Sequence, residues 1–416
     1  MTNPVIEKKK PQHAPMSQFQ TNGDQLLVNG HPLNLVKHRA GQTPFYAYDR
    51  SVMSQKVRLL RHKMPTGLKI HYAVKSNPMP AVIHFMGGLV DGLDVASGNE
   101  LREALNAQID GHQISFAGPG KQKPELTMAV GTQTTVNVES FNELKLLREI
   151  SDELGIRARV AVRVNPDFEL KSSGMKMGGG AQQFGVDAEQ VPDMLQRISE
   201  YGLHYRGLHI FTGSQNLNAE AITTAHKGIF ELANRLQAAA KSDIETFNIG
   251  GGLGIPYFPG EKPLQLESIG ESLEPLMNQF TSQWGNCEIA MELGRFLVGD
   301  SGLYVCEVID IKQSRGTEFV IVNGGLHQHL AASGNFGQVV RKNYPVAIGN
   351  KMQQATDKPV QVVGPLCTPL DLLANKYELP EVEIGDLVVI YQSGAYGYTA
   401  SPKDFLSHPY PVEILV

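Results

Sequence analysis

A chain of 416 residues, 41% of them apolar, is long enough for two packed domains, yet no run approaches the roughly 20 apolar residues that a membrane-spanning helix needs. With Lys+Arg 37 against Asp+Glu 42 the formal charge is −5 and no basic stripe interleaves with aromatics, so nucleic acid is excluded and small molecules are the expected partners. The cysteines, Cys287, Cys306 and Cys367, share no Cys-x-x-Cys spacing, which argues against a disulfide scaffold or cysteine zinc site and fits a reducing cytoplasm.

Residues 1–16 carry Lys8-Lys9-Lys10 and no apolar segment of signal-peptide type, and are expected to be a disordered tail. Leu26 to Val28 and Pro32 to Val36 flank Asn29-Gly30, a hairpin signal, so residues 17–44 are expected to join a β domain completed later in the chain. Residues 45–298 alternate short apolar runs with helical stretches. The first run is Lys69-Ile70-His71-Tyr72, closed by Ala73-Val74-Lys75-Ser76. The others are Gly92 to Ala96, Gln113 to Ala117, Thr135 to Val138, Val160 to Val164, Gly207 to Phe211, Thr246 to Ile249 and Ile289 to Glu292. Between them Met79 to Met86, Asn99 to Ala107, Ser140 to Leu154, Ala188 to Tyr201, Ala219 to Ala240 and Gly270 to Gln283 read as helices. Ser97 and Ser140 stand at capping-box distance from Glu100 and Glu143. The alternation predicts parallel βαβ units closed into an α/β fold of the TIM-like (β/α)8 type. After Gly299 the runs Leu303 to Ile309, Phe319 to Val322, Val360 to Val363, Leu387 to Tyr391 and Val412 to Val416 lack long helices between them, so residues 299–416 are expected to form a C-terminal β domain.

In such barrels catalytic groups sit at the carboxyl ends of the strands. The polar punctuation falls there: Lys75, Asp94 with Ser97, Arg163 with Asn165, His209 to Ser214, Gly250 to Gly254, and Glu292 with Arg295. The run Gly250-Gly251-Gly252-Leu253-Gly254 can bring backbone N–H groups close to an anion, and it does not match the dinucleotide pattern Gly-x-Gly-x-x-Gly. A strand-end lysine, a phosphate cup, a strand-end glutamate and a flat aromatic suit pyridoxal phosphate. Taken singly, Asp94 also reads as a cap near a helix, Arg163 as a salt-bridge partner within the barrel and Cys367 as a small core residue.

Taken as an ordered series, Tyr72 to Asn77, Asp94 to Glu100, Gly250 to Gly252, Glu292 to Arg295, Gly364-Pro365-Leu366-Cys367 and Ser393 to Tyr396 resemble the signatures of fold type III pyridoxal-phosphate decarboxylases, whose familiar members are diaminopimelate and ornithine decarboxylases. The resemblance runs from about Thr43 to the carboxyl end. It implies the alanine racemase-like arrangement of barrel and β domain, with Lys75 holding pyridoxal 5'-phosphate and Glu292 paired with the pyridine nitrogen. Ser214, Gly251, Gly252, Arg295 and Tyr396 would surround the phosphate, and Asp94 and Arg163 would complete the pocket. It also implies that Cys367 crosses to the partner subunit of a homodimer and returns the proton after loss of CO2. Arg341 and Tyr344 correspond, with spacing one residue shorter, to residues that contact substrate carboxylates in diaminopimelate decarboxylases.

Two positions depart from the family pattern. Phe211 stands three residues before Ser214 where a histidine usually stacks on the cofactor ring, and His209 lies on the same strand face two residues back, so the stacking surface is kept and the imidazole lost. Thr368 follows Cys367 where an acidic residue normally pairs the substrate's distal ammonium. An ammonium left unpaired in a closed site costs several kcal/mol, which disfavours a free diamino acid unless Asp371 reaches it. Lys176 to Gly179, Gln183-Phe184-Gly185, Thr212 to Asn218, Arg341 to Pro345 and Phe405 to Pro409 resemble decarboxylases of butirosin, siderophore and exopolysaccharide clusters, which implies a carrier-linked or modified amino acid as substrate. meso-Diaminopimelate decarboxylation, racemisation and non-catalytic cofactor binding stand as the alternatives. His327 and His329 share a strand face with no third ligand, so no metal is expected.

Overall fold

The computed structural model describes residues 11–168, 175–176, 179–240, 242–356 and 358–416. Each apolar run of the first half forms a parallel strand: β1 Lys69–Ala73, β2 Gly92–Val95, β3 Ile114–Phe116, β4 Thr135–Val138, β5 Arg159–Asn165, β6 His204–Ile210, β7 Thr246–Gly251 and β8 Glu288–Leu293. Neighbours in sequence pair throughout, and β8 pairs back onto β1 through Ala290 opposite Lys69, so the sheet closes as a barrel. β5 is buried along its whole length, as expected where helices cover one side and barrel packing the other.

The helices begin where their caps place them. Ser140 Oγ accepts the Glu143 N–H at 3.1 Å, and Ser97 Oγ accepts that of Glu100 at 3.2 Å. The two glutamates reach back one residue further than a capping box, to the N–H groups of Glu139 and Ala96.

The second sheet contains β9 Gly302–Ser314, β10 Thr317–Val322, β11 Val346–Ile348, β12 Lys358–Val363, β13 Leu372–Leu379 and β14 Leu387–Ile390, in the order β11-β14-β9-β10-β12-β13. Two further strands join it. Phe45–Tyr48 runs antiparallel to β9, with Tyr48 opposite Gly302, and Val412–Leu415 lies parallel to Phe45–Tyr48. The first of these lies within the stretch assigned from sequence to the barrel, so here the β sheet begins before the barrel and resumes after it.

The amino-terminal segment also differs from its reading. Gln25–Val28 and His31–Pro32 form the hairpin about Asn29 and Gly30, both at positive φ, but residues Leu33–Ala40 are helical and not strand. The segment reaches the β domain by packing: Leu26, Val28, Leu33 and Val36 share a core with Leu303, Val305, Leu387 and Val389. Of the tail expected to be disordered, residues 1–10 lie outside the described residues. The Gln12 carbonyl accepts the Gly260 N–H at 2.8 Å, and His13 packs on Tyr377. Met177 and Gly178 of the Lys176 to Gly179 stretch likewise lie outside the described residues. No described helix is long and apolar enough to cross a membrane.

Candidate active site

At the end of β1 the chain tightens into a 3-10 turn, Val74–Ser76. Ser76 Oγ donates to the Ala73 carbonyl at 2.9 Å and Tyr72 Oη to that of Asn77 at 2.7 Å, which pins the turn and leaves Lys75 as its exposed member. Lys75 faces a cavity of about 260 Å³ at the carboxyl ends of the strands, which it lines with Phe211, Ser214, Gly252, Glu292, Arg295, Phe336 and Tyr396. A second cavity, about 370 Å³, lies at the amino ends and is lined by Lys69, Asp91, Gln113, Thr246 and Glu288. Barrels of this type carry their chemistry at the opposite face, where the lysine, glutamate and glycine loop converge.

The glycine loop is shaped by close approach. Gly252 has φ +86°, and a Cβ there would stand 2.1 Å from the Gly213 carbonyl oxygen, so only glycine fits beside the loop after β6. The Asn216 N–H donates to the Gly252 carbonyl and the Gly254 N–H to that of Asn216, both at 2.9 Å, and these bonds fix the two loops to each other. Ser214 thus lies next to the glycines, with Arg295 and Tyr396 completing the cup. Arg295 Nε is buried without an acceptor, and the Arg295 guanidinium carbon lies 4.7 Å from the Tyr396 ring centre. Tyr396 itself holds φ +55°, uncommon for a bulky residue, and its N–H donates to the Ser76 carbonyl across the domain boundary at 2.9 Å.

Below the cup, Glu292 is buried 3.3 Å from His209 Nε2, and Asn248 Nδ2 donates to it at 3.3 Å. Burial by itself pushes the Glu292 carboxyl up, but His209, Lys75 and Arg163 together hold it well below the usual carboxylate range. Neither nitrogen of His209 has an aligned hydrogen-bond partner. Phe211 lines the wall, its ring centre 5.7 Å from Lys75 Nζ.

The other sequence-predicted residues lie around this group. Asp94 is buried beside β3, accepting from Ser115 Oγ, with its second oxygen 3.5 Å from His71 Nδ1; it is not a helix cap. Arg163 is paired at 2.8 Å with Glu139, a partner absent from the sequence reading although it stands at the end of β4. Gly251 packs its α-carbon against the Glu292 carbonyl, where a Cβ would come within 1.8 Å. Cys367 and Thr368 lie on a β-domain loop outside the lining of the Lys75 cavity, and Cys367 is exposed and not a core residue. Arg341 donates to the Leu372 carbonyl, and Tyr344 is buried against Tyr257; neither lines the cavity. Phe336, which sequence reasoning missed, does line it. Among the described residues no three His, Cys, Asp or Glu side chains converge as metal ligands.

The pieces suit pyridoxal phosphate on structural grounds: an amine facing the cavity, a carboxylate held ionised beneath it, a glycine cradle with no room for a Cβ, and a buried arginine N–H lacking an acceptor. Comparison with known proteins agrees. Residues 50–299 match the family described as pyridoxal-dependent decarboxylase, pyridoxal binding domain. The chain is 34% identical over 380 residues to the L-glutamyl-BtrI acyl-carrier-protein decarboxylase of Niallia circulans, covering 90% of this chain and 89% of that one. It is 29% identical to the 2-((L-alanin-3-ylcarbamoyl)methyl)-2-hydroxybutanedioate decarboxylase of Staphylococcus aureus, covering 93% and 95%. The crystal structure of Helicobacter pylori diaminopimelate decarboxylase complexed with L-lysine superposes with a TM-score of 0.80 at 28% identity, over 92% of this chain and 94% of that one. The chain therefore belongs to the fold type III pyridoxal-dependent decarboxylases.

Proposed function

We propose that this enzyme decarboxylates an α-amino acid whose distal end is uncharged or tethered, a carrier-linked or otherwise modified residue, in place of a free diamino acid. The observation that carries this reading is the occupation of Asp371. Its carboxylate is buried and accepts the Leu326 N–H at 2.7 Å and the Leu366 N–H at 2.9 Å, and burial pushes its pKa up. Thr368 is uncharged, and Asp371 is buried with its carboxylate turned onto those two backbone N–H groups and away from the lining of the Lys75 cavity, so neither presents a carboxylate there to a distal ammonium. The two relatives support the same direction, since the name of one specifies a glutamyl group on a carrier protein and that of the other an alanyl group held through an amide.

In this reading Lys75 would hold the cofactor, Ser214, Gly251, Gly252, Arg295 and Tyr396 would enclose its phosphate, and Phe211 would offer it an apolar face. When bound, pyridoxal phosphate supplies an electron sink for the pair left behind as CO2 departs. Glu292, held ionised, would favour positive charge at the ring nitrogen, while His209, Asp94 and the Arg163–Glu139 pair hold the floor of the site. Cys367 Sγ returns a proton to the substrate carbon. Because Cys367 lies outside the cavity of its own chain, the reading requires a two-fold dimer in which it reaches the partner's site. Exposed Phe336 on the cavity rim and exposed Leu370, three residues after Cys367 and bonded through its carbonyl to Asn335, supply apolar surface for that contact.

Release of CO2 should be assayed side by side from diaminopimelate, ornithine, lysine and a pantetheinyl glutamyl thioester. Turnover of the thioester with the free diamino acids inert is expected. Efficient use of diaminopimelate with the thioester inert would overturn the tethered-substrate reading.

A further inference from the structure

Arg295 is gripped by a tyrosine that does not line the cavity. Its NH1 donates to Tyr257 Oη at 2.9 Å, while its Nε remains buried without an acceptor. Tyr257 follows the glycine loop and is only 2% exposed. Its ring packs against Tyr344, centre to centre 4.8 Å, and Tyr344 in turn lies 5.6 Å from His329. Tyr344 and His329 belong to the β domain, so the barrel arginine is braced from the other domain. Burial raises the Tyr257 hydroxyl above its ordinary pKa despite the neighbouring Arg295, which keeps it a neutral phenol.

A guanidinium is a rigid planar fork, so fixing one N–H fixes the direction of the others. We infer that Tyr257, clamped by Tyr344, is a positioning residue that sets the roll of the Arg295 plane and thereby directs its unpaired N–H groups to the cofactor phosphate. The inference rests on the reading that Arg295 faces that phosphate. It also gives Tyr344 a place in the site different from the substrate contact expected from sequence.

The full-length chain, stripped of cofactor, should be titrated with pyridoxal phosphate and with pyridoxal, which lacks the phosphate. Tyr257→Phe keeps the ring and loses the acceptor; it should weaken pyridoxal phosphate binding about ten-fold and leave pyridoxal binding nearly unchanged. Tyr344→Leu, which leaves Tyr257 intact but unclamped, should shift the ratio of the two affinities in the same direction. Arg295→Met serves as reference and should depress the ratio further. An unchanged ratio in Tyr257→Phe, or equal loss of both ligands, while Arg295→Met still depresses the ratio, would overturn the positioning role alone. An unchanged ratio in Arg295→Met would overturn the phosphate reading on which it rests. Loss in Tyr257→Phe with none in Tyr344→Leu would overturn the clamp.

Discussion

Glu292 is a carboxyl that burial should neutralise and that neighbouring positive charge keeps ionised. Glu292→Gln preserves its shape and removes its charge, so turnover should fall about a hundred-fold while the cofactor stays on Lys75. Borohydride reduction followed by peptide mapping checks the second half: the reduced pyridoxyl group should be found on Lys75 in both proteins, and its recovery on another lysine would defeat that assignment. Because the folded pKa of Glu292 is depressed, its charge is present above the unfolded value and is lost only on strong acidification, so it should contribute no limb to a pH–rate profile near neutrality. At this scale the sequence was most legible where a residue ends a strand. Lys75, Ser214, Gly252, Glu292, Arg295 and Tyr396 all face one cavity, and each belongs to a short motif. Phe336 reaches the same cavity from the other domain, a contact no local pattern encodes. Glu139 is different: it ends β4 directly after Val138, and the strand-end rule that selected Arg163 could have selected its partner too.

Helix Ala219–Gln237 carries a buried imidazole, His226, whose Nδ1 has no partner and whose pKa burial lowers from 6.5 to about 4. The unfolded chain takes up a proton at that position below its ordinary pKa and the folded chain does not, so stability is intact above pH 6.5 and declines as pH falls toward about 4. The expected loss from this residue is about 3 kcal/mol by the bottom of that window. Thermal melting across it should show a shallower acid slope in His226→Leu than in wild type, and parallel slopes would exclude the effect. Most elements could be read from alternation and caps, since β-branched runs and Ser-x-x-Glu starts are local signals. β13 could not, because Leu372-Leu373-Ala374-Asn375-Lys376-Tyr377-Glu378-Leu379 contains no β-branched residue and is a strand by virtue of its pairing with β12. β11 is three residues long and is likewise defined by its neighbour β14.

For the whole molecule, the expectation is a dimer in which Lys75 and Cys367 from different chains share a site. Lys75→Ala and Cys367→Ala chains, each inactive alone and mixed equally under subunit exchange, should recover about a quarter of wild-type sites, since half the dimers are mixed and each has one intact site. No recovery after verified exchange would place both residues in one chain's site. The barrel as a closed unit was legible because each strand pairs with its sequence neighbour, whereas the true start of the β sheet was not: Phe45-Tyr46-Ala47-Tyr48 reads like any barrel strand, and only its partner Gly302 to Val305 reveals where it belongs. That pairing has a temporal side. During translation Phe45–Tyr48 emerges before the entire barrel and its β9 partner only afterwards, so at about 5–20 residues per second it waits on the order of 10 to 50 s with its edges open. For that interval an aromatic strand is the nascent chain's exposed adhesive surface, and ribosome-bound chains halted just after the barrel should be the species that chaperones hold most firmly.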